Sequence, residues 1–212
     1  RQEDRNYCSR VCCSGAMKNA LKLKAIDKDI DVYVLFRDMR TYGFHEDSYR
    51  EAADRDVRFI RWEPEDRPVV APGEEDGRPV LKVTVADPVL GKRLELPADA
   101  VVLAAAVIPA AGSEDIARLF KVPLGPDGFF QEAHVKLRPV DFAADGVFLA
   151  GTAHYPKHLG EAVTQAYGAA SRAINVLSKN SVTATGAICD VKEDACVACG
   201  ARYGRLALSD DG

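Results

Sequence analysis

Two spacings of apolar residues run along this chain, and the places where one gives way to the other mark its elements. From Gly15 to Ile26, Ala16, Ala20, Leu23 and Ile26 recur at helical spacing, with Lys18, Lys22 and Lys24 outside the stripe. That predicts a helix, with Ser14 as its N-cap. Asp31 to Asp38, "DVYVLFRD", is a nearly continuous apolar run, the mark of a strand buried on both faces as in parallel sheets. A second helix is expected over Asp47 to Ala53 and a second strand over Val57 to Trp62. Glu63 to Gly77 is rich in Pro, Gly and acid and reads as an exposed loop. "PVLKVTVAD" and "KRLELP" read as two alternating strands around Pro88–Gly91 and predict an antiparallel hairpin. "DAVVLAAAVIP", Asp99 to Pro109, reads as another buried strand, and Glu114 to Phe120 as a short helix. A buried strand over Gly146 to Gly151 leads to a helix from Leu159 to Leu177. Leu159, Val163, Ala166, Ala170, Ile174 and Leu177 lie on one face of that helix. Beyond Ser178 the pattern fades into a tail that carries Cys189, Cys196 and Cys199.

Strands alternating with helices place the chain in the α/β class. Its 212 residues, 47% of them apolar, suffice for one large domain or a domain with an appendage. The net charge of −4 offers no basic stripe for nucleic acid. The longest apolar run, Val101 to Ala111, is broken by Pro109 and falls far short of the roughly 20 residues that span a bilayer. Arg1 stands where an initiator methionine would, so a piece of a longer protein or a processed product is expected, and no secretory signal is visible. Six cysteines at uneven spacing do not make a disulfide framework, and the adjacent Cys12 and Cys13 could bridge only with strain. A reducing, cytoplasmic interior is expected, where clustered cysteines serve metal or redox chemistry.

The chemistry concentrates in two stretches. In "YCSRVCCSG", Cys8 and Cys12 are four apart and would share one face of a helical turn, with Cys13 about 100° further round. Thiolates held there could surround an iron–sulfur cluster, helped by the unpaired N–H groups of the following helix. Three ligands are one short of the usual four. Inert buried cysteines are the plainer alternative, and zinc lacks a fourth thiol or histidine at its usual spacing. The tail's "CVACGAR" resembles the opening of a ferredoxin-type motif, C-x₂-C-x₂-C, in which Arg202 occupies the third position; a free thiol pair fits equally. The second stretch, Asp145 to Ala173, runs strand, loop, small-residue helix, where doubly wound sheets bind anionic ligands. Lys157 could set a positive charge beside a reduced flavin, or it could be solvated in an ordinary connection. His45, His134, His154 and His158 take no catalytic role on spacing alone.

"YCSRVCCSGAMKNALK", "VYVLFRDMRTYGF", "FFQEAHVKLRPVDF" and "GVFLAGTAHYPKHLGEAVTQAYGAASRA" together resemble the A-type subunit of heterodisulfide reductase, which carries flavin and iron–sulfur clusters. The resemblance runs from Arg1 to about Lys179 and loosely on to Cys199. It implies an incomplete thioredoxin-reductase-like, Rossmann-type FAD/NAD-binding core with a β-hairpin insertion and an irregular cysteine-bearing tail. It implies that 1–110 is the second half of a nucleotide-binding-like domain, 111–179 the carboxyl-terminal part of an FAD-binding domain, and 180–212 the start of a ferredoxin-like insert. Cys8, Cys12 and Cys13 carry over as ligands of a [4Fe-4S] cluster, with a fourth expected upstream. Gly151, Thr152, Ala153, His154, Tyr155, Pro156, Glu161 and Gln165 carry over as the FAD-binding segment, with Lys157 as its catalytic group. Thr152 stands where related disulfide reductases have Asp, and Ala105 and Ala106 replace a Thr-Gly pair. The amino-terminal GxGxxG fingerprint is absent. The resemblance implies electron transfer between FAD and clusters, bifurcating in some members. Its expected partners are other heterodisulfide reductase components, a hydrogenase or dehydrogenase as donor, and ferredoxin. A non-catalytic docking module, with structural zinc or free cysteines, is one other reading. A pyridine-nucleotide disulfide oxidoreductase is another, though "CSRVCC" is not its CxxC.

Overall fold

The computed structural model describes residues 5–181. Cys189, Cys196, Cys199 and Arg202, with the ferredoxin-like tail expected there, lie outside the described residues.

The amino-terminal half is built on one β-α-β unit. Helix α1 (Cys12–Ile26) leads to strand β1 (Val32–Phe36), helix α2 (His45–Asp54) and strand β2 (Val57–Arg61). The strands pair in parallel from Val32 opposite Val57 to Phe36 opposite Arg61. The Trp62 N–H continues the ladder to the Phe36 carbonyl at 2.9 Å. Met17, Ala20, Ala52 and Val57 are buried together, with Leu21, Val34, Tyr49 and Phe59 packed against them. Ridge positions on both helices thus close over one strand pair.

Several local expectations need correcting. Helix α1 starts at Cys12, with Val11 as its N-cap, and Ser14 lies inside the first turn. Its buried stripe is Met17, Ala20 and Lys24, and Leu23 and Ile26 stay exposed. Lys24 can turn inward because its stem is apolar and its ammonium donates to the Lys28 carbonyl at 3.1 Å, past the negative end of the helix. Strand β1 is half-buried along its whole length, because β2 is its one partner among the described residues.

A separate three-stranded antiparallel sheet follows, β3 (Val69–Glu75), β4 (Arg78–Asp87) and β5 (Lys92–Ala98), in that order. The expected hairpin is β4–β5, in register from Leu81 opposite Ala98 to Asp87 opposite Lys92. The expected loop Glu63 to Gly77 instead contributes β3, an exposed edge strand whose Pro72 is tolerated because an edge does not require every N–H. Asp99 to Pro109 forms no strand: no described neighbour pairs with it, and Val102 and Leu103 are each 84% exposed. Helix α3 (Ser113–Phe120) follows as expected.

Gly146 to Gly151 also lacks a regular ladder and makes one bridge, Asp141 with Phe148. Its Leu149 nevertheless anchors a second core with Val122 and Phe142. A short 3₁₀ turn, Gly151–Ala153, then feeds helix α4 (Leu159–Leu177), bounded as its sequence predicts. The Arg172 guanidinium of α4 grips the buried Asp141 carboxylate at 2.5 and 3.1 Å, which ties the helix to this core.

Candidate functional site

Arg10 brings the two chemically interesting stretches together. It sits between Cys8 and Cys12 in a left-handed backbone conformation, φ +60°, which ends the extended approach and turns the chain into α1. Cys8 therefore lies outside the helix and does not share a helical face with Cys12, as an uninterrupted turn would have required. The Arg10 guanidinium reaches away from the cysteines. It donates to Glu161 Oε1 at 2.5 Å, to Tyr42 Oη at 2.7 Å and to the Pro156 carbonyl at 3.3 Å.

The three thiols are free and half-buried. Cys13 Sγ accepts the Arg40 N–H at 3.4 Å and stands 3.8 Å from the Asp38 carbonyl, so the loop after β1 holds it. Cys8 Sγ accepts the Arg10 N–H at 3.3 Å. Cys12 and Cys13 share a hydrogen bond that lowers the Cys12 thiol to about 6 and, with burial, raises that of Cys13. The pair thus gives up its first proton readily and its second with difficulty. The buried Ser14 Oγ, one residue on, has no hydrogen-bond partner.

This donor set suits an anionic, thiolate-bound group at a helix start. A single ion would draw thiolate sulfurs to within about 4 Å of one another, given zinc–sulfur bonds of about 2.3 Å. Among the described residues no three His, Cys, Asp or Glu groups converge in that way. A multi-iron cluster, whose ligands attach to different metal atoms, does not need sulfurs so close.

An open groove of about 750 Å³ lies beside Arg10. His154, Tyr155, Lys157, Glu161 and Gln165 line it, and so do Gly160 and Thr164. Five of the nine residues expected at a flavin therefore face one cavity, of a size that suits a cofactor. The other four, in the adjoining segment, do not line it. Gly151 takes φ +71°, its N–H donates to Gln165 Oε1 at 2.9 Å, and the Ala153 carbonyl accepts the Phe130 N–H at 3.0 Å. Pro156 is buried with its carbonyl on Arg10, and Thr152 is exposed. His158 opens α4: a capping box joins its side chain to the Glu161 N–H and the Glu161 carboxylate to the His158 N–H. Its ring stacks on His45 at 4.5 Å.

Inside the groove the charges are coupled. Burial, and then Arg10, push the Lys157 ammonium below its ordinary range. Burial, and then Lys157, do the same to His154, against the pull of Glu132. Arg10, Glu132, Gly160 and Thr164 do not figure among the expected site residues. The motif "FFQEAH" is plain in the sequence, but nothing in its spacing points Glu132 toward residue 154. The Arg10 guanidinium and the start of a 19-residue helix beside the groove can attract an anionic group.

Curated relatives match most of this chain's length. The A-type iron-sulfur subunit of CoB–CoM heterodisulfide reductase from Methanocaldococcus jannaschii is 37% identical over 197 residues, 92% of this chain and 29% of the relative. The A-type subunit of ferredoxin:CoB-CoM heterodisulfide reductase from Methanosarcina acetivorans is 35% identical over 194 residues, 92% of this chain and 24% of the relative. This chain matches a segment of the heterodisulfide reductase A-type subunit. The corresponding subunit of H(2)/formate:CoB-CoM heterodisulfide,ferredoxin reductase from Methanococcus maripaludis is 37% identical over 195 residues, 91% of this chain and 29% of the relative. The chain thus spans less than a third of the curated heterodisulfide reductase subunits it matches. No family model matches it. The α/β class agrees with the sequence expectation, as mixed helices and small sheets. No helix among the described residues is long and apolar enough to cross a membrane.

Proposed function

We propose that this chain is the part of a heterodisulfide reductase A-type subunit in which a flavin meets an iron–sulfur cluster, and that it relays electrons between them. In this reading 1–110 is the second half of a nucleotide-binding-like domain and 111–179 the carboxyl-terminal part of a thioredoxin-reductase-like FAD-binding domain. Residues 180–212 open a ferredoxin-like insert. The observation that carries the reading is Arg10, fixed in the chain between two cysteines and in space against the groove of Lys157.

Cys8, Cys12 and Cys13 are the cluster ligands contributed by this chain, and the low first pKa of the Cys12–Cys13 pair keeps a thiolate available at neutral pH. His154, Tyr155, Glu161 and Gln165 bind the FAD from the groove, with Gly151, Thr152, Ala153 and Pro156 contributing from the adjoining segment. Lys157 holds a positive charge, or a proton, at the edge of the bound ring. When bound, FAD supplies exchange of one or two electrons, which suits division of electron pairs between a disulfide and ferredoxin. The partners are the other components of such a complex, a hydrogenase or dehydrogenase as donor, and ferredoxin. The free thiols accord with a cytoplasmic setting.

The test is the complete gene product, purified without oxygen. Flavin absorbance with iron and acid-labile sulfide in matching amounts is the expected result. A colourless protein, or zinc without sulfide, would overturn the reading.

A further inference from the structure

We infer that Glu132 is a positioning residue of the groove: its carboxylate fixes the His154 imidazole in the tautomer that turns a bare Nδ1 toward Lys157, and so holds the Lys157 amine at the groove wall. The geometry stands on its own, and the consequence for a flavin rests on the function proposed above.

Glu132 is held from both sides. The Phe130 N–H donates to the Ala153 carbonyl at 3.0 Å, and the Ala133 N–H donates to the Asp141 carbonyl at 2.8 Å. Between these staples the Glu132 side chain is 8% exposed, with Oε2 2.6 Å from His154 Nε2. A carboxylate there demands a proton on Nε2. The other side of the ring makes the same demand. The Gly151 N–H donates to Gln165 Oε1 at 2.9 Å, which turns the Gln165 NH₂ group toward the imidazole. Gln165 Nε2 is 2.7 Å from His154 Nδ1, and Lys157 Nζ is 3.3 Å from it. Both are donors, so Nδ1 must accept, and the imidazole is neutral with its proton facing Glu132.

The groups facing the Lys157 amine come from every neighbouring element. Arg10 from the cysteine segment opposes its charge, Glu161 of α4 and Glu132 support it, and His154 accepts from it. Without the Glu132 carboxylate, the ring is held by Gln165 alone, Nδ1 is presented less firmly to the amine, and the amine loses a supporting charge. Either loss favours the neutral amine.

The experiment uses the complete gene product stripped of flavin, and reads how acylation of Lys157 by an amine-reactive reagent varies with pH, by peptide mass spectrometry. In the native protein the midpoint should lie below that of a solvated lysine in a short model peptide. Glu132→Gln should lower it further, so that labelling at pH 8 speeds up by about three- to tenfold, one pKa unit being tenfold. Glu132→Asp keeps the charge and should keep the midpoint near native. A purely structural glutamate predicts the opposite: a loosened loop exposes Lys157 and its midpoint rises to that of the model peptide. A raised or unmoved midpoint in Glu132→Gln, or an equal fall in Glu132→Asp, overturns the inference. Should Glu132→Gln not fold, His154→Leu removes the same acceptor and must also lower the midpoint. Adding FAD separates the two claims. If FAD leaves native Lys157 labelling unchanged while Glu132→Gln lowers the midpoint, the flavin reading falls and the positioning role stands. Protection by FAD with no effect of Glu132→Gln gives the reverse.

Discussion

Arg10 adopts a left-handed conformation that costs a non-glycine residue about 1 kcal/mol or more, and three polar contacts offset that cost. Arg10→Ala removes the contacts and keeps the strain, so we expect a loss of about 1–2 kcal/mol, read from the midpoint of urea unfolding. Arg10→Lys should rescue little, because a point-like ammonium cannot serve Glu161, Tyr42 and the Pro156 carbonyl together. Asp141 gives a pH prediction. The Arg172 hydrogen bonds, with Arg138 nearby, hold its carboxyl below the ordinary range despite burial. A carboxylate depressed in the folded state contributes stability that is present above its unfolded pKa of about 3.9. That contribution is lost as pH falls through the lower folded value. Unfolding followed by circular dichroism should show this loss below about pH 4, and Asp141→Asn should remove this share of the pH dependence while costing about 1–3 kcal/mol at neutral pH. The cysteines and the "GTAHYPK" loop are readable as single motifs. Arg10 and Glu132 are not, because their roles arise from contacts between residues far apart in the chain, which no local spacing encodes.

Among the elements, those with a clean period are readable. Helix α4 begins and ends where its apolar spacing does, and the β4–β5 hairpin follows its turn signal. Strand β3 is hidden by Pro72, Gly73 and the acids around them, which mark a loop and an edge strand alike. Asp99 to Pro109 misleads for the opposite reason: an apolar run reports a wish for burial, not the presence of a partner. The segment is still anchored at its far end. The Tyr7 hydroxyl donates to the Val107 carbonyl at 2.9 Å, and the Val107 N–H donates to Ser9 Oγ at 3.0 Å. Gly128, at φ +80°, packs against Pro109 so closely that an added Cβ would lie 3.0 Å from Pro109 Cγ. Gly128→Ala should therefore cost about 1–2 kcal/mol, through both the strained backbone and the contact, and lower the thermal midpoint by several degrees.

Across the whole molecule, the proposed function assigns the thiols and the groove two separate chemistries. Cys12→Ser in the complete gene product should remove cluster iron while leaving bound flavin in place, because Cys12 does not line the groove. Metal analysis and flavin release on denaturation check this together; loss of both, or of neither, would contradict the assignment. Surface apolar groups show how much of the fold one segment can satisfy. Leu159 and Leu177 of α4 are about four-fifths exposed, at 81% and 80%, as are Val102 and Leu103. Their apolar character announces a preference for burial or for one shared face, and a preference is all that a local pattern can announce.

Arg10 also determines how such a protein would age. Any oxidised form of the vicinal sulfurs that shifts the start of α1 would drag the guanidinium off Glu161 and the Pro156 carbonyl. Damage at one corner is thereby transmitted a single side chain's length to the neighbouring wall, so retention of a bound ligand should decline in step with thiol titre during air exposure.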